Sequence, residues 1–259
     1  MEIHQLYTHS NLRNFTYILE PEEGGLFCFD PFDASQVVSF ADELGKPLRV
    51  VINTHEHWDH TQGNEELVKT FNCEVWAHEN GKGKIPCVTR FLTHGEKIEL
   101  DDKFSLQVLD TPGHTFAHLC LLLLRRGEPY AVFTGDTLFN AGVGNCHNGG
   151  DPEVLYETIS KQFHVMPDEV KVYPGHEYLG NNLRFTLDRE PSNDSARELL
   201  DVYQTMKTDE EFIVTTIAKE KEINTFFRLD NSEVIANISG DTSSEKQVFL
   251  RLRELRNKW

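Results

Sequence analysis

The sequence predicts an α/β fold with a small helical C-terminal domain, on three observations. Short apolar runs such as LRVVIN at 48–53, LCLLLL at 119–124 and YAVFTG at 130–135 alternate with helix-like stretches. That alternation is the mark of sheets covered by helices. Several runs end in polar loops, the most polar being THEHWDH at 54–60. Past about residue 180 the chain turns to Glu-, Asp-, Lys- and Arg-rich segments at helical spacing.

The elements follow in order. NFTYILE at 14–20 and GLFCFD at 25–30 are strands joined by the turn around Pro21 to Gly25. A helix spans Ala34 to Leu44, closed by Gly45. LRVVIN is a buried strand, and a helix starts near Thr61 and runs through NEELVKTF. CEVWAH at 73–78, SLQVLDTPG at 105–113, LCLLLL and YAVFTG continue as strands. PEVLYETISKQF at 152–163 is a helix with proline in its first turn, and VKVYPG at 170–175 is the last clear strand. NTFFR at 224–228 is an apolar anchor. Thr242 and Glu245 have capping-box spacing ahead of a final helix, whose Val248, Leu252, Leu255 and Trp259 share one face. This places a metal-binding domain at 1–180 and a helical domain at 181–259.

The totals narrow the function. A chain of 259 residues fits one large domain, or one with a small appendix. A net charge of −17 argues against nucleic-acid binding and against anionic membranes. MEIHQLYTHSNLRNF carries no signal-like or transit-like pattern, and LCLLLL is far too short to span a bilayer. The five cysteines are odd in number and lack a CxxC, which fits free thiols in a reducing compartment. Cys28 and Cys120 lie in apolar runs and belong to the core, and Cys146 has no base placed for it. A cytoplasmic enzyme with no nucleic-acid or membrane partner is expected.

THEHWDH sets the chemistry. Burying that many ionisable groups at a strand end is costly unless something pairs with them. His55 and His57 are two apart, so an extended loop points them the same way. Asp59 and His60 follow where a helix begins. His114 in TPGHT, Asp136 in TGDTLF and His176 in YPGHEY each follow a strand and a glycine, which lets the backbone turn sharply. Five imidazoles and two carboxylates suit zinc, iron or manganese better than calcium or magnesium. Seven ligands suit two ions sharing one carboxylate and one water, able to make a hydroxide and polarise a carbonyl. A lone histidine is usually structural, and His4, His9, His78, His94, His118 and His164 are read that way. Glu56 and Trp58 point away from the ligands by alternation.

THEHWDH, GHT, GDTLF and GHEY resemble the metallo-β-lactamase superfamily. GDTLFNAGVG at 135–144, YPGHEYLGNNLRF at 173–185 and TIAKEKEINTFFR at 216–228 resemble its glyoxalase II branch, the hydroxyacylglutathione hydrolases. The resemblance implies an αββα metallo-β-lactamase-like sandwich with a dinuclear site at one edge and a helical substrate domain. It implies two divalent ions, zinc first, with iron or manganese also compatible. His55, His57 and His114 would hold one, Asp59, His60 and His176 the other, with Asp136 and a hydroxide between them. The reaction would be hydrolysis of an S-(2-hydroxyacyl)glutathione, such as S-D-lactoylglutathione, or of a related thioester. Asp59 and Asp136 would be the catalytic carboxylates, with Asp59 expected to orient the attacking hydroxide. The enzyme would act as a monomer or weak homo-oligomer.

For the substrate, Tyr178 matches the family's GHEY tyrosine, and Arg253 and Arg256 match its basic pair. Their i, i+3 spacing puts both on one helix face. Residues 246–259 carry Lys246, Arg251, Arg253, Arg256 and Lys258 against one Glu254, a carboxylate clamp in an acidic chain. The loop after GDTLF departs from the pattern. Asn145 stands where the family has a cation and His147 where it has a tyrosine, so a glutathione contact is lost or replaced. The competing reading is a persulfide dioxygenase with one iron on two histidines and one aspartate. Such enzymes usually stop sooner after the last motif.

Overall fold

The computed structural model describes residues 1–259. Its first sheet is ordered β1 (Glu2–Tyr7), β2 (Phe15–Glu20), β3 (Leu26–Phe29), β4 (Leu48–Ile52), β5 (Glu74–His78) and β6 (Arg90–Leu92). The second runs β14 (Thr215–Thr216), β13 (Lys171–Pro174), β10 (Glu128–Gly135), β9 (Leu119–Arg125), β8 (Phe104–Asp110) and β7 (Lys97–Glu99). A small hairpin pairs β11 (Leu138–Phe139) with β12 (Gly142–Val143).

The two sheets face each other, and the strand periodicity explains why. Along β9, Leu119, Leu121 and Leu123 face the other sheet, while Cys120, Leu122 and Leu124 face outward under helices. LCLLLL is therefore apolar throughout because both of its faces are covered. In β4, Val50 and Ile52 point between the sheets and Val51 points out, beneath α1 (Ala34–Leu44) and α3 (Asn64–Phe71). α4 (Pro152–Thr158) and α9 (Glu245–Arg256) cover the second sheet, with Leu155, Phe249 and Leu252 in one cluster. The layers are thus αββα, as the resemblance implies.

Five strands aim the chain at one edge. β10 is parallel to β13, and antiparallel steps through β9 make β8 parallel to β10 as well. In the first sheet, β3 and β4 are parallel. The loops after β3, β4, β8, β10 and β13 carry the candidate ligands and their supports.

Three expectations are corrected. The helix expected from Thr61 is split into α2 (Trp58–Thr61) and α3, because the chain passes close to the preceding loop at Gly63. The Gly63 N–H donates to Pro31 O at 3.0 Å, and a Cβ there would lie 2.7 Å from that oxygen. Asp59 and His60 therefore sit inside a helical turn rather than ahead of one. The final helix is capped by Ser244, which accepts from Gln247 N–H, and not by Thr242. Its buried face is Val248, Phe249 and Leu252, while Trp259 is half-exposed and edge-on to Phe185. Beyond these, β1, β6 and β7 have no strand assigned to them from the sequence, being short or at sheet edges.

The inter-sheet core centres on Phe133, whose ring lies 4.7 Å from Phe29 and 5.2 Å from both Tyr17 and Tyr173. Phe133→Ala should cost about 3–5 kcal/mol by loss of burial plus a residual cavity. A urea unfolding curve checks it, an unchanged midpoint being the contrary result.

Candidate metal centre

All seven predicted residues meet at the sandwich edge. His55 Nε2 and His114 Nε2 each lie 3.0 Å from His57 Nδ1. His60 Nε2 lies 3.2 Å from His176 Nε2, and both are within 3.5 Å of Asp59 Oδ2. The ligand atoms of each triplet all lie within 4.8 Å of one another. Asp136 stands between the triplets. Its Oδ2 is 3.5 Å from His114 Nε2, and its Oδ1 is 3.4 Å from His60 Nε2 and 3.3 Å from His176 Nε2. One carboxylate thus presents one oxygen to each cluster.

The outward nitrogen of every histidine is already engaged. His114 Nδ1 donates to Asn145 O at 2.6 Å, His176 Nδ1 to Leu12 O at 2.7 Å, and His57 Nε2 to Asn148 O at 3.0 Å. His60 Nδ1 donates to Asp30 Oδ2 at 2.9 Å. His55 Nδ1 meets Thr54 Oγ1 at 3.0 Å, and that hydroxyl spends its own proton on Asp30, so it accepts from the ring. All five rings are therefore held in tautomers whose inward nitrogens carry lone pairs. Asp136 Oδ1, buried, makes no hydrogen bond. Inward lone pairs plus an orphaned carboxylate oxygen fit divalent cations, and outer hydrogen bonds of this kind are how metal-binding histidines are oriented.

The local chain explains the convergence. Gly113 and Gly135 adopt φ of +142° and +45°, which only glycine accepts readily, and each aims the next residue inward. Gly175 has no such φ. It is needed for close approach, since a Cβ there would lie 2.5 Å from Asp136 Oδ1.

Sequence reasoning missed the supports. Asp30 accepts from Thr54 N–H, Thr54 Oγ1 and His60. Asn14 Nδ2 donates to Asp59 Oδ2 at 2.9 Å. His118, read as outside the site, is fully buried and stacks on His55 at 5.0 Å. Its Nε2 accepts the Asp136 N–H at 3.1 Å, so it braces Asp136 from outside the cluster. Asp30 and Asn14 precede or follow apolar strands, a signal too common to mark them. Glu56 accepts from Thr115 and Lys84, and Trp58 is exposed, so both point away as expected.

The charges are strongly coupled. Burial alone would raise the Asp136 carboxyl, but His176, His60 and His114 hold it far below the usual range. Burial opposes charge on His60, yet Asp136 and Asp30 favour a positive charge at its ring, the charge that a divalent cation on the inward Nε2 would supply in place of a proton. Burial, with its histidine neighbours, pushes His55 well down.

Beside the centre is a cavity of about 270 Å³ lined by Tyr178, Asn145, His147, Arg253 and Arg256, the five residues expected to bind substrate. Tyr178 lies flat on His176, 4.9 Å between centroids. Arg253 is buried, and its guanidinium donates to Val143 O at 2.8 Å and Gly144 O at 3.0 Å. It braces the loop as much as it faces the cavity. Arg256 is half-buried and donates to Asn182 Oδ1 at 3.0 Å. Lys246 pairs with Glu153, and Arg251 and Lys258 with Glu254, so the basic tail reaches the cavity only through Arg253 and Arg256.

A fold of this kind with this edge defines a metal-dependent enzyme class. Residues 11–176 match the family model of the metallo-beta-lactamase superfamily, and residues 177–259 match that of the hydroxyacylglutathione hydrolase C-terminus. Among curated relatives, the hydroxyacylglutathione hydrolase of Nitrosococcus oceani is 46% identical over 100% of both chains. That of Polaromonas is 42% identical over 100% of both, and the cytoplasmic one of Arabidopsis thaliana is 32% identical over 95% of this chain and 93% of its own. Among solved structures, ETHE1 from Myxococcus xanthus superposes with TM-score 0.72 at 25% identity, over 99% of this chain and 92% of its own. The chain belongs to the hydroxyacylglutathione hydrolase family, the glyoxalase II branch of the metallo-β-lactamase superfamily. No helix is long and apolar enough to cross a membrane.

Removing the Asp30 carboxylate, as in Asp30→Ala, frees His60 and Thr54 together. Metal affinity should fall about 10–100-fold, read by competition with a chromophoric chelator. Unchanged affinity would mean that Asp30 does not orient His60.

Proposed function

We propose that this enzyme, a thioester hydrolase of the glyoxalase II type, cleaves S-(2-hydroxyacyl)glutathiones, S-D-lactoylglutathione foremost, to a hydroxy acid and free glutathione. The observation that carries the reading is Asp136, with one oxygen toward each triplet, beside a cavity holding Arg256. His55, His57 and His114 would hold one divalent ion, and Asp59, His60 and His176 the other, with Asp136 shared. Zinc suits this set best, and iron or manganese also fit. Two such ions, when bound, acidify water and polarise a thioester carbonyl.

The chain's own residues supply the rest. Asp59, its carboxylate held by Asn14, orients the attacking water. Tyr178 and Arg256 position the thiol carrier, Arg256 facing its carboxylates. Asn145 and His147 line the same cavity without the family's cation and tyrosine, which leaves Arg256 the larger share of carboxylate recognition. The departing thiolate has a modest pKa and needs little general-acid help. Residues 1–180 thus hold the metals and residues 181–259 supply the basic pair. Cytoplasmic location, action as a monomer or weak homo-oligomer, and no nucleic-acid or membrane partner complete the reading.

The single-iron dioxygenase alternative needs only two histidines and one aspartate. Here all five histidines have their outer nitrogens engaged, which supports two ions.

Purified protein should hydrolyse S-D-lactoylglutathione with about two metals per chain, and a chelator should abolish turnover until metal is restored. Two metals without turnover would reject glutathione as the carrier. One iron with oxygen uptake on glutathione persulfide would overturn the hydrolase reading. Separately, Asp59→Asn at equal metal content should lower kcat about 100-fold or more, the range for positioned proton-transfer groups. A kcat unchanged under those conditions would remove Asp59 from the chemistry.

A further inference from the structure

Glu220, on α7 (Ile217–Ile223), is fully buried and far in sequence from the metal ligands. It has no ion-pair partner. Its carboxylate accepts from the Ala141 N–H at 2.8 Å, Thr215 Oγ1 at 2.6 Å and Asn224 Nδ2 at 2.9 Å. Around it, the Asn140–Gly142 turn is held by side chains of the C-terminal part. Asn182 Nδ2 donates to Asn140 O at 2.9 Å, Asn224 Nδ2 to Gly142 O at 3.2 Å, and Asn140 Nδ2 to Thr215 Oγ1 at 2.7 Å. The turn is strained. Ala141 has φ +58°, a left-handed conformation that a residue with a Cβ enters at a cost.

What this turn carries is the functional edge. Phe139, just before it, meets His176 and Tyr178 edge-on. Just after it, Val143 and Asn145 line the substrate cavity, and Asn145 O receives His114 Nδ1. Burial pushes the Glu220 carboxyl up to about 7 against the pull of its hydrogen bonds. A buried acid with only neutral partners is expensive to keep, and an apolar residue would fill the same space.

We propose that Glu220 is a positioning residue: it locks the left-handed turn at Ala141, and so sets the shape of the cavity that receives the thiol carrier. It does this from the C-terminal part, without touching substrate. The proposal rests on the thioester reading only for its kinetic arm.

The test compares wild type, Glu220→Gln and Glu220→Ala, with Thr215→Val as a milder break in the same cluster should the alanine variant fail to fold. Glutamine keeps an oxygen for Ala141 N–H and should retain near-normal kinetics. Alanine, or valine at 215, should raise KM for S-D-lactoylglutathione about tenfold, while kcat changes little and metal content stays constant, the pattern of lost uniform binding. Amide exchange should speed up over residues 138–147 and not across the inter-sheet core. Equal loss in KM and kcat with uniform exchange would reduce Glu220 to general stability and overturn the proposal. So would alanine or valine variants with wild-type KM and unchanged exchange. If wild type shows no turnover, the thioester reading fails by itself, and the exchange arm still decides the role of Glu220.

Discussion

Everything at the functional edge depends on one constraint. Five imidazoles and two carboxylates are gathered where water is largely excluded, and such a cluster is tolerable only if every polar atom has a partner or a cation. The chain answers by engaging each outer atom. Backbone carbonyls of Leu12, Asn145 and Asn148, the Thr54 hydroxyl and the Asp30 carboxylate take the outward ring nitrogens. What is left pointing inward is a set of lone pairs and the unpartnered Asp136 Oδ1.

That arrangement recruits segments from the whole chain. Leu12 and Asn14 come from the loop after β1, Asp30 from the end of β3, Thr54 from the end of β4, and Asn145 and Asn148 from the loop after β12. The two facing sheets provide the rigid frame, because both present parallel strand ends to the same edge. The helical C-terminal part is not an appendage to this frame. It adds β14 to the second sheet, packs α9 on α4, and holds the loop whose carbonyl orients His114. Arg253 braces that loop at Val143 and Gly144 from the other side. One wall of the cavity and the carbonyl that meets His114 Nδ1 therefore lie on the same loop.

The seven clustered residues were legible because each is a polar residue stranded just after an apolar strand, and because THEHWDH concentrates several in one place. The supports were not. Asp30, Asn14 and His118 sit in contexts shared by many structural residues, and their roles arise only from atoms brought close across the fold. The helix start after Asp59 was misplaced because the break at Gly63 comes from contact with Pro31, a neighbour more than thirty residues earlier in the chain. The cap of the last helix shifted from Thr242 to Ser244 because two residues with the same capping chemistry stand two apart, and local propensity does not choose between them.

The sequence by itself determined the layer order, the seven histidines and aspartates that converge at the edge, and the family, because strand periodicity and side-chain chemistry are local properties. Only the tertiary structure decided which oxygen of Asp136 faces which cluster and which tautomer each histidine holds. It also decided that Arg253 spends its donors on the loop while Arg256 keeps to the cavity. Those outcomes depend on distances and directions between segments far apart in the chain, and no local pattern encodes them.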